Sequence, residues 1–232
     1  MFNLMTPEEA DHLYNVAKTL EKSESKVGAD SASSVLSKVR TSSHTWMGKE
    51  NNGTVGRWHV DDIVNLVEDR IFELTRLDQT TSEPFQVVFY NKDQFYYGHH
   101  DYTTREVAPH NPYYQGGGNR FITVLLYLNE VEEGGETAFP FVDANGKPLN
   151  RNIHPEEMYK GNSACESGGV KLKPRKGGAA MFYNLKERGH MDGVVEPYSV
   201  HSGCPVLQGE KYITNKWIRN KRVDGKLYDE FW

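Results

Sequence analysis

The chain has 232 residues, 37% of them hydrophobic, and a formal net charge of −5. That length holds one large or two small domains with a substantial core, and the acidic balance argues against the phosphate backbone of nucleic acid as the main partner. No apolar run approaches the roughly 18–20 residues of a membrane span, and the opening MFNLMTPEEADHLYNVAKTL lacks the apolar core of a signal peptide.

In chain order, Thr6-Pro7-Glu8-Glu9 reads as a helix start, with Thr6 as N-cap, Pro7 at the first helical position and Glu9 closing a capping box. Ala10, Leu13, Ala17 and Leu20 follow at helical spacing. Residues 23–34 are Ser-rich and read as a loop. Val60, Ile63, Val64, Val67, Ile71 and Leu74 outline a second amphipathic helix. After Pro84 the pattern changes to short β-type runs bounded by Gly, Pro and Asn: Phe85–Tyr90, Phe121–Leu128, Val170–Lys173, Ala179–Tyr183 and Tyr212–Ile218. Residues 102–119 end in three glycines and read as a loop. Residues 141–169 read as a polar insertion with an Asn145-Gly146 turn. Helices first and strands after predict an α+β chain, a β barrel or jelly roll packed against N-terminal helices. Two cysteines, Cys165 and Cys204, are too few for a disulfide-built scaffold; a bridge, free thiols or metal ligation all stay open, with free buried thiols the default in a reducing compartment.

His99-His100-Asp101 and the distant His201 match the 2-His-1-carboxylate facial triad, which holds one face of a metal and leaves the other open. In a strand, residues two apart share a face, so His99 and Asp101 point one way and His100 the other. A second pair, His190-Met191-Asp192, lies between glycines in a loop and reads as a decoy. Lys211 opens the run to Trp217, in which Lys211, Ile213, Asn215 and Trp217 share one face. A lysine facing a barrel interior is costly unless an anion meets it; a lysine snorkelling to the rim is the plain alternative.

These residues sit in longer strings. Gln86–Tyr90 and Tyr96–Tyr102, then Asn119–Asn129 through Glu132–Thr137, then Val200–Val206 and Gly209-Glu210-Lys211 with Asn215–Ile218 resemble, in order, the prolyl 4-hydroxylase family of the collagen, plant and algal type. Arg40–Trp46 matches a further signature upstream, so the likeness runs from Phe2 to Arg219.

The resemblance implies a single catalytic domain on a double-stranded β-helix, the jelly roll, with helical support over about 1–80 and the β core over about 84–220. It implies a dioxygenase that uses Fe(II), 2-oxoglutarate and O₂, with ascorbate, to hydroxylate proline at C4 in a proline-rich peptide. The same chemistry on a peptidyl lysine or a free amino acid, and a non-catalytic jelly-roll module, are the competing readings. It carries over His99, Asp101 and His201 as metal ligands, and Lys211 as the partner of the distal carboxylate of 2-oxoglutarate, with Tyr90 and Thr123 donating beside it. Tyr96 and Trp217 are expected near the iron, and Arg40, Ser42, Glu83 and Arg120 on the peptide. Asp93 stands where family members often carry Gly, and Arg219 where plant-type relatives often have His. The family's strand before Phe2-Asn3-Leu4 has no counterpart, which implies a truncated N-terminus. Cys165 and Cys204 match positions where plant-type members place cysteines, which implies a bridge. The expected setting is the ER or Golgi lumen for a plant or algal type that has lost an N-terminal anchor, and otherwise the cytoplasm.

Overall fold

The computed structural model describes residues 1–21, 23–24, 39–47, 61–103, 118–149, 155–186 and 195–221. The first helix, α1 (Pro7–Thr19), starts as its sequence dictates: Thr6 accepts from the Glu9 N–H, and the Glu9 carboxylate accepts from the Thr6 N–H. The second, α2 (Asp62–Thr75), is capped by Asp61, whose Oδ1 accepts from the N–H groups of Ile63 and Val64. Its buried face is Val64, Val67, Ile71 and Phe72. Leu74, expected on that face, is 47% exposed, because the stripe turns away from the core in the last turn. Val60 lies outside the described residues.

The strands are β1 (Phe2–Asn3), β2 (Ser23–Glu24), β3 (Ser43–Met47), β4 (Phe85–Tyr90), β5 (Tyr96–His99), β6 (Arg120–Tyr127), β7 (Glu133–Gly134), β8 (Thr137–Phe139), β9 (Val170–Leu172), β10 (Gly178–Tyr183), β11 (His201–Gly203), β12 (Val206–Gln208) and β13 (Lys211–Arg219). A seven-stranded sheet runs β1-β10-β6-β13-β4-β3-β2, and a four-stranded sheet runs β5-β11-β8-β9. All the strand pairings within them are antiparallel.

The period of two in the large sheet decides what faces what. Phe85 and Val87 of β4, Val124 and Leu126 of β6, and Tyr212 and Ile218 of β13 pack with α1 and α2 in the main hydrophobic cluster. The alternate residues turn to the other face. Val88, Tyr90, Leu125, Tyr127 and Ile213 form a second cluster there, and Lys211, Ile213, Asn215 and Trp217 line a cavity. On the helix side β13 places Lys216, fully buried and ion-paired with Glu68 of α2. Lys216 also donates to the Glu83 carbonyl at 2.6 Å.

The five strand runs expected from sequence all appear, within a residue or two at each end. The turn at Asn145-Gly146 also appears, with Gly146 at φ 73°. Asp93 adopts φ 65°, the left-handed region that favours glycine. The reading of residues 23–34 as a loop falls largely outside the described residues, as do 104–117 of the 102–119 loop and the His190–Asp192 pair. Asn119 joins the two described ends of the 102–119 loop, donating to the Thr103 carbonyl and accepting from its N–H.

Cys165 and Cys204 are bridged, with Cα atoms 5.7 Å apart, which corrects the default of free thiols. The bond ties a short helix, α3 (Ser163–Glu166), to the end of β11. Thirty-nine positions separate the two cysteines, so the fold and not the local sequence brings them together.

Candidate metal and cosubstrate site

His201 and His99 are direct cross-strand partners in the β11–β5 pair, which sets their rings 4.2 Å apart. His99 Nδ1 lies 2.8 Å from the Tyr97 carbonyl and His201 Nδ1 2.9 Å from the Ser199 carbonyl. A carbonyl only accepts, so both Nδ1 atoms carry a proton, and the tautomer this selects turns each Nε2 toward the cluster as the atom able to ligate. The Nε2 atoms lie 3.8 and 3.7 Å from the two oxygens of Asp101. Ligand atoms of all three residues fall within 4.8 Å of one another. Two imidazoles and one carboxylate converging in this way are a donor set that fits an Fe(II) ion. Burial, reinforced by His201, holds the His99 imidazolium pKa well below its usual value.

Asp101 is not on a strand. It follows the last residue of β5 by two positions, in a bend, so strand parity selected the right side chains by an argument that applies to His99 alone. What aims the carboxylate is hydrogen bonding. Thr123 Oγ1 donates to its Oδ2 at 2.7 Å and Trp217 Nε1 at 3.0 Å. Burial would raise the Asp101 pKa, but His201, His99, Arg120 and the Trp217 bond hold it far below the ordinary carboxylate range.

Lys211 opens onto the same cavity of about 300 Å³ as the three metal-binding candidates. It is 1% exposed, so it does not snorkel. Burial brings its pKa down from 10.5 to about 7, opposed by Glu136. Tyr90 is its cross-strand partner, with Nζ 5.1 Å from the ring. Burial raises the Tyr90 hydroxyl to about 12, so it stays a proton donor. A Cβ on Gly203 would come within 3.1 Å of that hydroxyl, which is why β11 carries glycine beside it.

The other expected site residues divide. Tyr96, Arg40, Arg120 and Trp217 line the cavity. Tyr96 stacks on His99 at 3.6 Å, and the Arg40 guanidinium covers Tyr96 at 4.5 Å. Arg120 lies 3.4 Å over the Trp217 ring.

Three residues do not sit as expected. Thr123 was placed beside Lys211; its single proton goes to Asp101. Glu83 was placed on the peptide; it is buried and accepts from Arg120 at 2.7 and 2.8 Å and from Arg219 at 2.8 Å. Burial would raise its pKa, but the two guanidiniums take it down to about 2. Ser42, also placed on the peptide, is 1% exposed and accepts from Arg40 Nε at 2.9 Å. Each is a polar group that found a partner inside the protein, as buried polar groups must.

Two further residues near the site were named in the sequence without a role in the chemistry. Arg219, flagged only as a departure from relatives, shares Glu83 with Arg120 and donates to the Gly118 carbonyl. His100, expected to turn away from His99 and Asp101, stacks on Tyr102 at 4.3 Å and contacts the Tyr159 hydroxyl, and it borders the same cavity as the triad. Burial takes the His100 pKa down to about 4, so this ring is neutral at physiological pH.

Residues 85–219 match the model of the 2OG-Fe(II) oxygenase superfamily. Two curated proteins of Arabidopsis thaliana are similar over most of the chain. Probable prolyl 4-hydroxylase 4 is 37% identical over 220 residues, covering 95% of this chain, and prolyl 4-hydroxylase 2 is 36% identical over 221 residues. The chain spans 66% of the length of each. Among solved structures, the viral collagen prolyl hydroxylase of Paramecium Bursaria Chlorella virus-1, in its 2OG complex, has a TM-score of 0.57 and 26% identity over 94% of this chain and 93% of that one. A Trichoplax adhaerens prolyl hydroxylase in complex with a hypoxia inducible factor peptide reaches the same TM-score at 17% identity, over 95% and 82% of the two chains; that likeness is one of fold. These neighbours agree with a jelly-roll core.

Proposed function

Because the chain belongs to the 2OG-Fe(II) oxygenase superfamily, we propose that it hydroxylates peptidyl proline at C4, converting 2-oxoglutarate and O₂ to succinate and CO₂ as it does so. The observation that carries this reading is a single cavity holding the His99, Asp101 and His201 cluster together with a buried lysine. The sequence likeness to proteins named prolyl 4-hydroxylase supports the substrate.

His99, Asp101 and His201 would hold the iron, which when bound supplies oxidative decarboxylation of 2-oxoglutarate and hydrogen abstraction from the substrate. The protein's own work is binding and orientation. Lys211 takes the distal carboxylate of 2-oxoglutarate, and the dicarboxylate in turn relieves the burial cost of the ammonium. Lysine meets that carboxylate as a point charge, where arginine would clamp it through two nitrogens. Tyr90 stays protonated and offers its hydroxyl beside Lys211. Arg120, held over the Trp217 ring by Glu83, and Arg40, held over Tyr96 by Ser42, line the cavity as guanidinium donors for the carbonyls of an extended peptide. Such donors suit a polyproline II peptide, whose extended shape is formed before it binds. Ascorbate would be the reductant that keeps an iron held there ferrous. The Cys165–Cys204 bridge favours an oxidising compartment such as the ER lumen.

The test is to incubate the protein with Fe(II), 2-oxoglutarate, ascorbate and a proline-rich peptide, and to follow succinate and the mass of each residue. Gain of one oxygen on proline is expected. Oxygen on lysine, or succinate formed only with a free amino acid, would assign the chemistry to another substrate. No succinate with any of them would leave a binding module. His201→Ala is expected to abolish succinate formation.

A further inference from the structure

Asn184 is the first residue after β10, and it is completely buried. Its backbone is fully used: the N–H donates to the Phe121 carbonyl and the carbonyl accepts from the Glu196 N–H, each at 2.8 Å. Its side chain makes one hydrogen bond, from Nδ2 to Thr123 Oγ1 at 2.8 Å. Its Oδ1 is buried with no partner among the described residues. An apolar residue of the same volume would fill this site without an orphaned acceptor, so the amide stands there at a cost.

The reason lies one bond further on. A threonine hydroxyl has one proton and can accept at its lone pairs. With the Asn184 amide donating to Thr123 Oγ1, the hydroxyl proton is left for Asp101 Oδ2, 2.7 Å away. A carboxylate that ligates a metal has no proton to give and can only accept, as Asp101 Oδ2 does from Thr123 and Trp217. The reversed amide would take the Thr123 proton for itself, set a hydroxyl lone pair against the carboxylate and bury an unpaired N–H₂. The observed orientation leaves only a carbonyl oxygen unpaired, the better tolerated defect.

We propose that Asn184 is a positioning residue of the metal centre. Through Thr123 it fixes the direction of one of the two hydrogen bonds on Asp101 Oδ2, the other coming from Trp217, and so fixes the rotation of the carboxylate. The relay Asn184–Thr123–Asp101 joins β10, β6 and the bend after β5, three segments far apart in sequence. It rests on Asp101 being a metal ligand, and it is independent of whether proline is the substrate.

Partners behind a ligand typically cost tenfold or more in metal affinity when removed. Co(II) is the probe, titrated into metal-free protein and followed by its visible absorption, which reports ligand geometry as well as occupancy. Thr123→Val is expected to raise the Co(II) dissociation constant about tenfold and Asn184→Leu about fivefold, each with an altered cobalt spectrum. The double variant should be no weaker than Thr123→Val, because Asn184 acts only through that hydroxyl. Asn184→Leu with wild-type affinity and spectrum would overturn the proposal, and so would losses that multiply in the double variant. If Asn184→Leu does not fold, Asn184→Ala carries the same comparison. Failure of proline hydroxylation with an intact coupling between Thr123 and Asn184 would refute the substrate and leave this relay standing.

Discussion

Replacing Lys211 by Met is expected to stabilise the metal-free, cosubstrate-free protein while removing its hold on 2-oxoglutarate. Lys211 is 1% exposed, and burial takes its pKa from 10.5 to about 7 with only Glu136 opposing. Between those values the unfolded chain holds a proton that the folded chain does not. Wild-type stability therefore rises with pH across that window, and below it the full burial cost applies. By linkage the cost is roughly 5 kcal/mol at pH 6 and about 2 kcal/mol at pH 9. Met has a similar length and no charge, so repacking should subtract no more than about 1.5 kcal/mol. Urea unfolding at the two pH values measures the difference. Lys211→Met should unfold at higher urea at pH 6, with the advantage shrinking at pH 9. Its dissociation constant for 2-oxoglutarate should rise about thirtyfold or more, as expected when one partner of a buried charge pair is lost. A variant less stable than wild type at pH 6, or an advantage that grows with pH, would refute the argument that burial of an unmet ammonium dominates this site.

Glu83→Gln leaves Arg120 and Arg219 without their shared carboxylate and should cost about 3–5 kcal/mol at neutral pH, read by urea unfolding. The Glu83 pKa falls from 4.5 to about 2 on folding, so its contribution is complete above the higher value and disappears as pH falls through the lower; the gap between wild type and variant should close across that window. Trp217→Phe removes the Nε1 donor to Asp101 while keeping an aromatic face under Arg120. It should weaken Co(II) binding about tenfold, and unchanged binding would discount that hydrogen bond. Cys165→Ser with Cys204→Ser should lower stability by about 2–4 kcal/mol, and alkylation of the unreduced wild-type protein should label neither thiol.

Much of this fold could be read in one dimension because its causes are local. A capping box needs only Thr6 and Glu9 three positions apart, and the structure forms it as written. The period of two in Lys211–Trp217 put Lys211, Ile213, Asn215 and Trp217 on one face, and that face lines the cavity. The short strands β5 and β11 gave no comparable signal. Each is too brief to show alternation, and β5 is half-exposed throughout, so their pairing register follows from the sheet as a whole. Leu74 shows the limit of periodicity itself, since it stands at the spacing of the stripe and is 47% exposed while Ile71 and Phe72 just before it are buried.

The sequence by itself determined which side chains are candidates for chemistry: His99, Asp101, His201 and Lys211 stand out by residue type, order and spacing. Only the tertiary structure decided what each one touches. Thr123 left the lysine for Asp101, Glu83 left the cavity for two arginines, the cysteines closed a bridge, and Asn184 acquired a place behind the carboxylate. The physical reason is the same in every case. A buried donor or acceptor is costly without a partner within about 3 Å, and which groups come that close is set by cross-strand neighbours and loop ends, which can lie far apart in sequence.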